Sequence, residues 1–234
     1  GMTSVVGLLT AGAGAWAGFV KPLELSGDFE QTQIAFTTML KSGEKATKFL
    51  QEAENFANKT PFEFPELATN AKLMMAFGFS IEKVLPMMTT IGDTASGLGA
   101  GSEGIERIVR AFGQMQAKGR VMTQELLQLQ ELGVPADEIL QEELGLTQEQ
   151  IANIGEEGLE AGKAIDALMK GMDKRFGGMM QQQSRTMKGL LSTIKDTFSN
   201  KILRRWGDGL REGVTPYMMK FVDWIDKNQD TVTK

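Results

Sequence analysis

An all-α fold is predicted by three features of this sequence. Apolar residues recur at three-and-four spacing along most of the chain, the period of a helix with one buried face. Glycines and prolines punctuate those runs at helix-length intervals, and no alternating stretch finds a second one to pair with as a strand. The expectation is a multi-helix bundle of short, glycine- and proline-punctuated helices with longer helices at its ends. Its expected parts are an apolar N-terminal helix over 1–27, open to self-association, a compact helical domain over 28–178, and a long basic helix with a final C-terminal helix over 179–234.

With 234 residues, 41% hydrophobic and 24% charged, the chain has the balance of a soluble globular protein able to bury a core. It contains neither cysteine nor histidine. That excludes disulfides, thiolate and imidazole metal ligands, cysteine nucleophiles and every triad with a histidine base. The absence of cysteine fits a protein made or assembled in the cytosol. Gly1 before Met2 reads as a remnant of tag removal. The ending Thr231-Val232-Thr233-Lys234 has no obvious stop signal, so a piece of a longer chain is expected.

The net charge of −5 conceals an uneven distribution. Residues 121–160 hold ten acidic side chains and no lysine or arginine, whereas 163–211 hold eleven basic and four acidic ones. Such poles can neutralise each other within the fold, pair between copies, or present one face to DNA. The candidate basic face comprises Lys174, Arg175, Arg185, Lys188, Lys195, Lys201, Arg204 and Arg205.

In chain order, residues 4–20 carry no charge and combine Val5, Val6, Leu8, Leu9, Trp16, Phe19 and Val20 with four glycines. The stretch falls short of the ~20 residues that cross a bilayer and lacks a basic leader. A buried or self-associating helix is preferred, with membrane contact as the competing reading. Residues 28–41 fit either period: Phe29, Phe36 and Leu40 share a helical face, while Ile34, Phe36 and Thr38 alternate. A helix capped by Asp28 is preferred, because no partner strand is evident.

Beyond this point the helical spacing is cleaner. Ala46, Phe49, Leu50, Ala53, Phe56 and Ala57 follow a Ser42 cap. Pro61 and Pro65 break that helix, and Pro65 suits the first turn of the next, whose face is Leu67, Ala71, Met74 and Met75 as far as Gly78. Ser80 opens another, with Ile81, Val84, Leu85, Met88 and Ile91, and Pro86 inside it should produce a kink. Residues 92–104 read as a flexible reversal. Within them Gly99-Ala100-Gly101-Ser102-Glu103-Gly104 is a literal match to the dinucleotide-binding glycine pattern. No strand precedes it and Glu103 would oppose a phosphate, so these glycines are read as shaping a helix–helix turn.

Ile105, Ile108, Val109, Phe112 and Met115 form a regular apolar stripe that leads into the organising stretch, 113–140. Gly119 suits the left-handed residue that ends a helix. Thr123 can cap the next helix, Gly133 closes it, and Pro135 fits the first turn of a third. Thr147 and Gln150 make a capping box before Ile151 and Ile154. After Gly158, the face Ile165, Leu168, Met169, Met172 and Phe176 runs to Gly177-Gly178. Met187, Leu190, Leu191, Ile194, Phe198, Ile202 and Trp206 mark the longest helix, and Thr215-Pro216 starts the last. The fifteen methionines mostly occupy these faces, where an adaptable side chain fills irregular gaps.

Three blocks in this order resemble a known family. They are Phe56-Ala57-Asn58-Lys59-Thr60-Pro61-Phe62-Glu63, then Ile91-Gly92-Asp93-Thr94-Ala95-Ser96-Gly97, then Ala117-Lys118-Gly119-Arg120-Val121 with Gln124-Glu125-Leu126 and Glu131-Leu132-Gly133-Val134-Pro135. The pattern resembles the N-terminal region of phage tail tape measure proteins across roughly 28–203, although Lys41-Ser42-Gly43 departs from the Gly-Ser pattern expected there. The resemblance implies a structural role in tail assembly, tail length determination and DNA delivery, in a virion tail assembled in the bacterial cytoplasm. Its implied partners are tail tube, baseplate or tail chaperone proteins and other copies of the chain. Motif positions carried over are Thr60, Pro61 and Phe62; Gly92 and Asp93; Lys118 and Gly119; Gln124 and Glu125; Gly133 and Pro135, as residues that shape turns or meet a partner.

Enzyme chemistry is left with carboxylates and lysines. A glycosidase needs a carboxyl of raised pKa in an apolar cleft, for which Glu125 and Glu131 are the candidates. Neither lies in a Glu-Ser pair of the lytic transglycosylase kind, so a non-enzyme with no catalytic residue, cofactor or metal site is expected. The competing readings are a generic helical adaptor or scaffold and a DNA-binding helical domain.

Overall fold

The computed structural model describes residues 13–186 and 204–227. Twelve helices and no strand occur among the described residues. In chain order they are α1 (Ala13–Leu40), α2 (Gly43–Ala57), α3 (Phe64–Ala76), α4 (Ile81–Gly97), α5 (Gly101–Lys118) and α6 (Thr123–Glu131). There follow α7 (Ala136–Leu144), α8 (Gln148–Ala152), α9 (Ile154–Glu157), α10 (Ala161–Phe176), α11 (Met179–Ser184) and α12 (Arg204–Lys227). The two longest, α1 with 28 residues and α12 with 24, flank the short ones as expected for an all-α chain of this pattern. No helix among the described residues is long and apolar enough to cross a membrane.

Two compact units result: Phe36–Thr193, and Gly1–Ala35 with Ile194–Lys234. In the larger unit α10 packs on α4, α5 and α7, and α5 also carries α3, α4 and α6. The stripe of α5 supplies the centre, with Ile108, Val109, Phe112 and Met115 completely buried. Leu50, Leu67, Met74, Met88, Ile91, Leu129, Ile139, Leu140 and Leu168 complete the core from six other helices. Phe36 stacks at a tilt on Phe49, ring centres 5.0 Å apart, an arrangement that contributes about 0.5–1.5 kcal/mol beyond area burial.

Many predicted boundaries hold. The Ser42 hydroxyl accepts from the Lys45 amide at 3.2 Å. Thr147 and Gln150 exchange bonds of 3.2 and 2.9 Å as a capping box, and Pro65 sits in the first turn of α3. Gly78, Gly119, Gly133 and Gly158 all take positive φ at helix ends. Gly99, in the turn between α4 and α5, and Gly101, the first residue of α5, do the same, so these two of the dinucleotide-like glycines shape a reversal.

Four boundaries differ. Asp28 caps nothing, because α1 passes through it: the preceding Ser26 turns its hydroxyl to Asp208 of α12 at 2.6 Å and leaves the local backbone helical. Gly92 lies inside α4, which continues to Gly97 before the chain reverses. Thr123 is the first residue of α6 and Met122 holds the cap position, its amide bound by the Glu125 carboxylate at 2.9 Å. Pro216 starts no helix but lies inside α12. Thr215 and Pro216 are exposed on that helix, and the local start signal gives way to a helix already under way. Residues 187–203, most of the predicted longest helix, lie outside the described residues.

In the smaller unit Gly207 permits the closest approach. A Cβ on it would fall 1.9 Å from the Pro22 carbonyl oxygen, so only glycine fits at this crossing of α1 and α12. Beside it Arg204 lies over the Phe29 ring at 4.0 Å, and Arg211 meets Glu30 at 2.8 Å.

A comparable constraint acts on Gly113 of α5, where a Cβ would fall 2.0 Å from the Phe77 ring. Glycine to alanine in an open helix interior gains about 0.5–1 kcal/mol. Here the sign should invert: Gly113→Ala should lower the urea midpoint, by the roughly 1–3 kcal/mol typical of overpacking.

Candidate functional site

The resemblance-bearing residues gather at two places in the larger unit. At the first, the Asp93 carboxylate is 5% exposed on α4. Its Oδ2 accepts from the Gly178 amide at 2.9 Å and its Oδ1 from the Met180 amide at 2.8 Å. These amides open α11 and have no acceptor within it, so one carboxylate satisfies two of them. Gly92 provides the room, since a Cβ there would meet Met180 Sδ at 2.5 Å and the Phe62 ring at 3.0 Å. Phe62, distant in sequence from Gly92 and Asp93, thus converges with them on the start of α11. Thr60 is buried with its hydroxyl oxygen unpaired, and Pro61 separates it from Phe62.

At the second place, α5 ends at Lys118 and Gly119 reverses the chain with φ 70°. The Glu125 side chain is fully buried; its Oε2 accepts from the Met122 amide and its Oε1 from Lys118 Nζ at 2.5 Å. A short backbone bridge pairs Arg120 with Glu160: the Val121 amide donates to the Leu159 carbonyl at 2.9 Å and the Ala161 amide to the Gly119 carbonyl at 3.1 Å. This links the α5–α6 turn to the start of α10. Gly133, at φ +96°, turns the chain from α6 to Pro135, which caps α7, and leaves Leu98 against its backbone. Gln124 is exposed on α6.

Opposite charges meet inside the fold. Glu143 of α7, its side chain 4% exposed, is held by Lys170 at 2.8 Å and by Lys174, both on α10. Glu142 meets Arg175 at 2.8 Å, and Glu131 meets Arg107 at 3.0 Å. The hydrogen bonds from Lys170 and then Lys174 hold the Glu143 carboxyl below the usual carboxylate range. Lys174 and Arg175 of the candidate basic face are therefore engaged by α7. Arg185 and Arg205 are exposed and Arg204 is stacked on Phe29, while Lys188, Lys195 and Lys201 lie outside the described residues.

Neither carboxylate proposed for glycoside chemistry faces a cleft in the manner such chemistry requires. Glu125 is enclosed and already bound on both oxygens, and Glu131 is an exposed ion-pair partner. A depression of about 580 Å³ runs between the start of α4 and α10 past Phe79, Lys83, Pro86, Met87, Ile165 and Met169. It is open and mostly apolar, with Asp166 and Asp173 on its α10 edge. Among the described residues no three acidic side chains are grouped to hold a metal ion. The two motif clusters lie where α6 leaves α5 and where α11 meets α4.

The sequence profile of the family described as tape measure protein matches residues 21–203. The chain belongs to that family. A curated relative, the Mu-like prophage FluMu protein gp42 of Haemophilus influenzae, is 27% identical over 231 residues, which cover 97% of this chain and 36% of the relative. The chain therefore spans little more than a third of that relative's length. No solved structure matches it.

In this tape measure chain, sequence reasoning missed Gly178 and Met180 as the partners of Asp93, and Glu143 as the junction of two lysines. The Gly177-Gly178 pair was a signal for a turn but carried nothing about its acceptor. For Glu143 the only signal was the uneven charge, which does not single it out among the ten acidic residues of 121–160, since its partners sit on another helix.

Two outcomes follow. Lys118 is 42% exposed and its partner fully buried, so removing the lysine strands a charge that cannot reach water, whereas removing the acid does not. Lys118→Met should thus cost about 3–5 kcal/mol, against about 1–3 for Glu125→Gln, by urea unfolding. Glu143 has a depressed folded-state pKa, so its contribution is complete above the unfolded value, about 4.3, and fades as pH falls through the lower folded value. Glu143→Gln should flatten the acid limb of stability below about pH 4.3, measured by thermal melts from pH 7 to pH 2.

Proposed function

We propose that this segment is the folded contact module of a tail tape measure protein, acting through surfaces and not through chemistry. Support comes first from the family profile over 21–203, the observation on which the reading rests. It comes also from the fate of the motif side chains, since Asp93, Lys118 and Glu125 are committed to internal bonds that hold the module's shape. On this reading the whole protein takes part in tail assembly, length determination and DNA delivery, within a virion tail assembled in the host cytoplasm. The module meets a tail tube, baseplate or tail chaperone protein, or another copy of itself.

A straight helix advances ~1.5 Å per residue, which lets chain length be read as tube length. The larger unit is unsuited to that task. Its helices reverse repeatedly, and their lengths fold back on one another in place of adding. The ruler is assigned to the remainder of the full-length protein.

An in-frame deletion of residues 36–193 in a phage that carries this gene separates the two roles. Tails should become fewer or fail to deliver DNA, with the length of those that form unchanged by electron microscopy. Tails shortened in proportion to the deletion, at about 1.5 Å per residue, would refute the assignment.

A further inference from the structure

We propose that α11 is a hinged strap, latched by Asp93, that lets go of the larger unit as one piece while the helices beneath it stay folded. Three features of different kind converge there. The hinge is Gly177-Gly178, which separates α10 from α11; Gly178 takes φ +82°, a conformation open to glycine and strained for other residues. The latch is one carboxylate, because the Gly178 and Met180 amide bonds both end on Asp93. The slot is formed by Gly92 and the Phe62 ring and receives the Met180 side chain, which is 4% exposed.

The balance of forces favours separate release. A helix of six residues does not keep its shape unsupported, so α11 is ordered by what it rests on. Around the slot its neighbours Gln181, Gln182, Arg185 and Thr186 are exposed and add little burial. The Gln183 side-chain oxygen is buried without a partner, and undocking returns it to water. The core beneath is closed by other helices: Ile108, Phe112 and Met115 of α5 are sealed by α3, α4, α6 and α10. Opening of α11 therefore belongs to the local, low-energy class of fluctuation and not to global unfolding.

Hydrogen exchange on the full chain, with mass spectrometric readout, tests it. In Asp93→Asn the amides of 178–184 should exchange at least about tenfold faster, the scale of a lost hydrogen bond to a charged group, while α3 and α5 keep their protection. Equal acceleration in α3 and α5, or no change at 178–184, would overturn the proposal. A second measurement keeps Asp93 intact and exploits the absence of cysteine from the chain. The thiol introduced by Met180→Cys should react with a maleimide through an opening at least about tenfold more frequent than the one that exposes the α5 amides. Matching opening frequencies would show that α11 moves only when the whole unit unfolds, and would equally sink the idea.

Discussion

The larger unit depends on how closely α10 can approach α7. Gly171 stands at their crossing, and a Cβ there would fall 2.3 Å from the Ile139 side chain. With hydrogen alone at that position, Ile139 is completely buried and Leu168 and Met172 reach the same core. The approach also brings Lys170 and Lys174 to Glu143, and Arg175 to Glu142. Apolar packing and charge pairing on this interface are consequences of one missing side chain. A larger residue would hold both at a distance, where dispersion falls away steeply and ion pairs are given over to solvent.

That arrangement accounts for the uneven charge of the sequence. The acidic stretch 121–160 and the basic stretch beginning at Lys163 are consecutive in the chain, and the fold lays α7 against α10 so that part of each neutralises the other. Exposed pairs of this kind contribute little individually. The Glu143 junction differs because its side chain is nearly enclosed. It orients α10 on α7 in a way that apolar packing, which is not directional, does not.

Local rules read from the sequence were good at the ends of helices. Ser42, Thr147, Gly119 and Gly133 announce themselves because a cap or a left-handed turn needs particular residue types within a few positions. The α5 stripe was equally plain, since helical period alone identifies its buried face. Two kinds of residue misled or stayed silent. Gly92, Gly113 and Gly171 look like breakers, yet they sit inside helices to admit a neighbour's side chain, and only the neighbour reveals this. Asp93 was singled out through family resemblance, but its bond to the Gly178 and Met180 amides joins positions that nothing local connects. Pro216 and Asp28 show the reverse limit, in which a sound local signal yields to a helix already under way.

The shared grip on Glu143 has an evolutionary corollary. Lys170 and Lys174 lie one helical turn apart and reach the same carboxylate from adjacent positions. Either lysine can mutate while the other still satisfies the acid, so the junction is fault-tolerant on the basic side and brittle on the acidic side. Among diverging descendants of this chain, drift should erase one lysine or the other long before it erases the glutamate they hold.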